Sequence, residues 1–107
     1  MLSREEIRIL EDKIVVVLKN IFDPEIPVNI YDLGLIYESK VNEEGVVKIL
    51  MTLTTPNCPV AESLPAQVQE EISYLTGVKK VDLEITFEPP WDQEMISEEA
   101  KLELGLL

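Results

Sequence analysis

Histidine is absent from the sequence, and that one gap removes more chemistry than any residue present supplies. Without an imidazole, Ser-His-Asp and Cys-His catalysis, histidine-ligated zinc and histidine general bases are all excluded within one chain. Cysteine occurs once, at Cys58, so an internal disulfide framework is excluded as well. Basic residues are scarce, with 9 Lys and Arg against 21 Asp and Glu and a net charge of −12. Phosphate neutralisation needs clustered Lys and Arg, which disfavours nucleic acid and anionic membrane surfaces as partners. The acidity reads either as solubility or as a preference for basic partners or cations. Apolar runs such as Ile14–Leu18 are far too short to cross a bilayer. No basic segment followed by an apolar stretch opens the chain, so no secretory signal is expected and the reducing cytoplasm is the expected compartment.

What is present describes one domain spanning residues 1–107. Ser3-Arg4-Glu5-Glu6 is a capping box, with Leu2 placed to staple onto Ile7. The spacing of Ile7, Leu10, Ile14, Val17, Leu18 and Ile21 predicts a helix that Asp23-Pro24 ends. Strands are expected over Leu35–Val41 and Val46–Thr54, joined at Asn42–Gly45 into an antiparallel hairpin. With Val41 opposite Val46, Leu35 would face Thr52 and Asp32 would lie beside Thr55. The second strand is apolar at almost every position, which suits a central place in the sheet. Val60, Leu64, Val68, Ile72 and Leu75 share a helical face, with a kink or fresh start near Ser63 because Pro65 interrupts a regular helix. Val81, Leu83, Ile85 and Phe87 alternate with polar residues in the clearest strand, and Ser97-Glu98-Glu99 opens a last helix with Ala100 and Leu104 inward. The order is α-β-β-α-β-α, an α/β (α+β) domain with a three-stranded mixed sheet.

A strand, a helix and a further strand make a crossover that leaves the second and third strands parallel, with their C-terminal ends together. Three loops are therefore expected on one edge, where α/β sheets tend to place their sites. One holds Asp23, Glu25 and Asp32; the second Thr54, Thr55 and Cys58; the third Pro89, Pro90 and Trp91. Cys58 sits where a strand passes into a helix, and a helix start favours thiolate over thiol. A lone cysteine is otherwise a small buried hydrophobe. The carboxylates read as turn formers or caps, or as a cation-binding set. Trp91 reads as a core plug or as an anchor for a protein partner.

Asp23-Pro24-Glu25, Asp32-Leu33-Gly34-Leu35-Ile36, Thr52 through Pro59, and Phe87-Glu88-Pro89-Pro90-Trp91 resemble, in this order, the MIP18 family. It is also known as domain of unknown function 59, and includes PaaD-like and SufT-like proteins. The resemblance covers about Ile14 to Leu104 and implies an iron–sulfur-cluster-assembly-like fold. It further implies a non-enzymatic role in maturing or delivering Fe–S clusters to client proteins, or service as an adaptor subunit of a complex such as a phenylacetate-degradation oxygenase. The family's reactive cysteine maps onto Cys58, and its acidic and threonine positions onto Asp23, Glu25, Asp32, Thr54 and Thr55. Clusters are held by about four thiolates, and this chain has one. Any cluster or iron is thus expected to be transient and shared between chains, with a second copy in a homodimer, a client or scaffold protein, or a small thiol completing the set. A cysteine nucleophile is the weaker reading, since no histidine base and no resolving cysteine accompany it.

Overall fold

The computed structural model describes residues 1–23, 26–54 and 63–105. Helix α1 (Arg4–Leu18) begins at the expected capping box: the Glu6 N–H donates to Ser3 Oγ at 3.1 Å and the Ser3 N–H to Glu6 Oε1 at 3.0 Å. Two orphan donors of the first turn are thereby satisfied. Leu10, Ile14 and Leu18 are its buried stripe. The helix stops at Leu18, earlier than the Asp23-Pro24 boundary predicted from spacing. The Ile21 carbonyl accepts the Ile30 N–H at 2.8 Å, and Phe22 forms an antiparallel bridge with Asn29. Long-range partners thus take up backbone groups that a longer helix would have used.

Strands β1 (Ile36–Val41) and β2 (Val46–Met51) form the hairpin, and β3 (Lys80–Ile85) pairs parallel to β2, giving the order β1-β2-β3. Each strand is shorter than predicted; β2 stops before Thr52 and β3 before Phe87. The hairpin register also differs near the turn, where Val41 faces Val47 rather than Val46. A bulge between Ile36 and Glu38 absorbs the offset, so that Ile36 faces Met51 and the Thr52 N–H donates to the Leu35 carbonyl at 2.8 Å. One extra residue, Tyr37, restores the predicted pairing at the end of the sheet that matters for the loops.

Val47, Ile49 and Met51 on central β2 are fully buried. Helix α1 packs over β1 on that face and α2 (Ser63–Ser73) over β3, with the two helices touching. The opposite face is wet, and Lys40, Lys48, Asp82 and Glu84 are exposed on it. Pro65 costs α2 little, because it stands in the first turn, where a backbone N–H has no intrahelical acceptor. A 3₁₀ turn over Gln93–Met95, which sequence patterning did not foresee, precedes α3 (Glu98–Leu104). Ser97 caps α3 by accepting the Ala100 N–H, and Ala100 is buried while Leu104 is half-buried. Among the described residues no helix is long and apolar enough to cross a membrane.

Candidate functional site at the C-terminal edge of the sheet

The chain between α1 and β1 folds back on itself through its own polar side chains. Asp23, only 6% exposed, accepts the Ile26 N–H on Oδ1 at 3.1 Å, while its own N–H donates to the Val28 carbonyl at 3.3 Å. Asn29 and Asp32 are three positions apart, and the pair bonds reciprocally: the Asp32 N–H donates to Asn29 Oδ1 and Asn29 Nδ2 donates to Asp32 Oδ2, both at 2.8 Å. Short side-chain acceptors of this kind fix a turn without help from a ladder. The Asn29 role went unread in the sequence, although Asn followed three positions later by Asp is a recognisable turn signal.

The segment so fixed is then clamped by the rest of the edge. The Asp32 carbonyl accepts the Ser97 N–H at 2.8 Å, the Leu33 carbonyl accepts the Trp91 indole N–H at 2.7 Å, and the Leu35 carbonyl accepts the Thr52 N–H. Gly34 has φ +88, and a Cβ there would lie 2.5 Å from the Met95 carbonyl oxygen. Only glycine tolerates both the left-handed backbone and so close an approach. Tyr37, the bulged residue, donates its hydroxyl to the Pro89 carbonyl at 2.8 Å and lies 3.6 Å from Met95 Sδ. Neither Tyr37 nor Met95 carried a sequence signal, since their contacts span more than 50 positions.

Part of the expected edge is joined directly. Asp32, Thr52 at the head of the Thr54 segment, and the Pro89–Trp91 loop are joined through the backbone of residues 32–35. Thr54 is half-buried just beyond Leu53, and Asp23 is tied in through the Ile21–Ile30 pairing. Pro89 and Pro90 are exposed, with a cis bond between Glu88 and Pro89. Trp91 is half-buried, packed against the core, and its one donor is used internally. Thr52 is fully buried, and among the described residues its hydroxyl has no hydrogen-bond partner. Glu25, Thr55 and Cys58 lie outside the described residues. Among the described residues no cluster of three or more Cys, Asp or Glu side chains could hold a metal ion. The described part of the edge can present backbone and carboxylate groups in a set shape.

Residues 11–83 match the family described as iron–sulfur cluster assembly protein. A protein of Porphyromonas gingivalis named Fe-S protein maturation auxiliary factor is 52% identical over 97 residues, covering 91% of this chain and 92% of the relative. The Fe-S protein maturation auxiliary factor YitW of Bacillus subtilis is 36% identical over 97 residues, covering 91% of this chain and 95% of its own. The crystal structure of a domain of unknown function 59 from Bacillus anthracis superposes with a TM-score of 0.88 at 30% identity, over 98% of this chain and 100% of that one. With residues 11–83 matched by the family model, and relatives and a solved structure matched over nearly their full length, the chain belongs to the iron–sulfur cluster assembly protein family.

Proposed function

We propose that this chain is an auxiliary factor of Fe–S protein maturation that helps pass clusters to client proteins and catalyses no reaction of its own. The observation that carries the reading is the near-full-length likeness to relatives named for that role. The clamped edge supports it by fixing the chain at Thr52, six positions before Cys58. In this reading Cys58 is a ligand to iron or cluster that another molecule shares, because one thiolate falls short of the set that a cluster needs. Transfer is then ligand exchange: client thiolates replace the Cys58 thiolate at iron, with no change of oxidation state. Asp23, Asp32 and Thr54 shape the loops around that ligand, joined by Glu25 and Thr55. Pro89 and Pro90, exposed beside the clamp that Trp91 provides, offer a contact for the client or scaffold.

The test is complementation in Bacillus subtilis deleted for its own auxiliary factor, read as aconitase activity in extracts. Wild-type chain is expected to restore activity and Cys58→Ser to fail while accumulating to the same level. Failure of the wild type overturns the maturation role. Full restoration by Cys58→Ser removes the thiol from the mechanism and leaves an adaptor, in which the loops serve only as a docking face.

A further inference from the structure

Both outer strands of the sheet have backbone groups turned away from β2, and the two edges are protected unequally. At β1 the Glu11 carboxylate reaches over from α1 and accepts the Val41 N–H at 3.1 Å, and the bulge at Tyr37 distorts the rest of that edge. Bulges and reaching side chains are how sheets blunt an edge. At β3 the phase is set by the Thr86 N–H, which donates inward to the Met51 carbonyl at 2.9 Å. Lys80, Asp82 and Glu84 share that phase, so the N–H and C=O groups of Val81, Leu83 and Ile85 point outward. Gln69 Nε2 takes the Val81 carbonyl at 3.1 Å; among the described residues nothing pairs with Leu83 or Ile85.

The surroundings of that open ladder are chemically two-sided. On the helix side Val81, Leu83 and Ile85 form an apolar row, the last two only half-buried, and Phe87 beyond them is 41% exposed. A groove of about 460 Å³ runs alongside, lined by Ala66, Gln69, Glu70, Ser73, Lys80 and Val81. On the wet side Asp82 and Glu84 are exposed, and neither belongs to either of the two ion pairs found among the described residues. Lys48 lies across from Asp82 and Lys80 stands at the start of the strand, without reaching ion-pair distance.

We propose that the free edge of β3 is a docking site for an extended segment of another protein whose residues alternate basic and apolar. Such a segment would add a fourth strand, bonding to Leu83 and Ile85, laying its apolar side chains beside the Val81–Ile85 row and its basic ones beside Asp82 and Glu84. A second copy of this chain fits poorly. Antiparallel pairing of two β3 strands about Leu83 sets Asp82 of one against Glu84 of the other, and like charges directly opposite are destabilising. The proposal is independent of cluster chemistry and is tested without it.

The probe is a capped peptide of sequence Lys-Val-Lys-Val-Lys-Val, titrated into isotope-labelled protein and followed by amide NMR and hydrogen exchange. Saturable shifts confined to Val81–Phe87 and new exchange protection at the Leu83 and Ile85 amides are expected, weakening as salt is raised. The exposed double variant Asp82→Lys with Glu84→Lys should bind about tenfold more weakly, with its other amide shifts unchanged. Absence of saturable binding overturns the proposal. So does equal binding by a scrambled peptide with its valines together, or by one N-methylated at alternate positions, or shifts that map elsewhere. Leu83 and Ile85 amides already protected in the free protein overturn it too: protection lost on dilution names a second copy as the occupant, and protection independent of concentration means the edge is covered by the chain itself.

Discussion

The indole N–H of Trp91 donates to the backbone carbonyl of Leu33 at 2.7 Å, across 58 positions of sequence. This bond joins the Pro-Pro-Trp loop to the segment that also receives Thr52 and Ser97, so a large aromatic is used to hold two loops together. Trp91→Phe keeps most of the packing and deletes the donor, leaving the carbonyl of buried Leu33 unpaired. It is expected to cost about 1–2 kcal/mol in urea unfolding, and a variant as stable as wild type would show that the bond contributes nothing.

Gly34 is the second point at which that segment is held. Gly34→Ala is expected to lose about 2 kcal/mol or more, because a left-handed φ and a collision with the Met95 carbonyl act together. The two effects separate by comparison with Gly105→Ala, where φ is +76 but an added Cβ meets nothing within 4 Å. The Gly105 variant should show the smaller shift in melting temperature.

Thr52 should behave in the opposite sense. Its hydroxyl is buried without a partner among the described residues while its N–H is bonded to Leu35, so Thr52→Val removes a desolvated polar atom and keeps shape and ladder. An increase in stability of about 1 kcal/mol is expected. Loss of complementing activity in a variant so stabilised would show that the hydroxyl is retained for function.

Acid should weaken the start of α1. The Ser3 N–H, and then the Ser3 hydroxyl, hold the Glu6 carboxyl below its ordinary value of 4.5. A lowered folded-state value means that the stabilisation is present above 4.5 and is lost as pH falls through the folded value. Wild type should therefore melt above Glu6→Gln at neutral pH, with the gap closing in acid. Ser3→Ala removes the cap hydroxyl and is expected to cost about 1 kcal/mol at neutral pH.

Local sequence signals suffice wherever the determining contact is short-range. The capping box at Ser3, the Ser97 cap and the alternation in β3 depend on residues within a turn or two of each other. Such signals fail where a distant partner competes. Helix α1 stops at Leu18 because Ile21 pairs with Ile30, and the hairpin register shifts because Tyr37 bulges outward, its hydroxyl reaching Pro89. The carboxylate loop is half legible: Asp23 and Asp32 stand out as turn formers in the sequence, and both are engaged in shaping their loop. What Glu25, Thr55 and Cys58 do falls outside the described residues.

The amino-acid sequence by itself determined the order of elements, the parallel pairing of β2 with β3, and the motifs by which the family is recognised. It also set the limit that one cysteine and no histidine place on any metal chemistry, since composition and periodicity need no third dimension. Only the tertiary structure decided that the backbone of residues 32–35 is the junction of the edge and that, among the described residues, no strand pairs with the outer side of β3. Both depend on which carbonyl and N–H groups find distant partners, and long-range hydrogen bonding leaves no period in the chain.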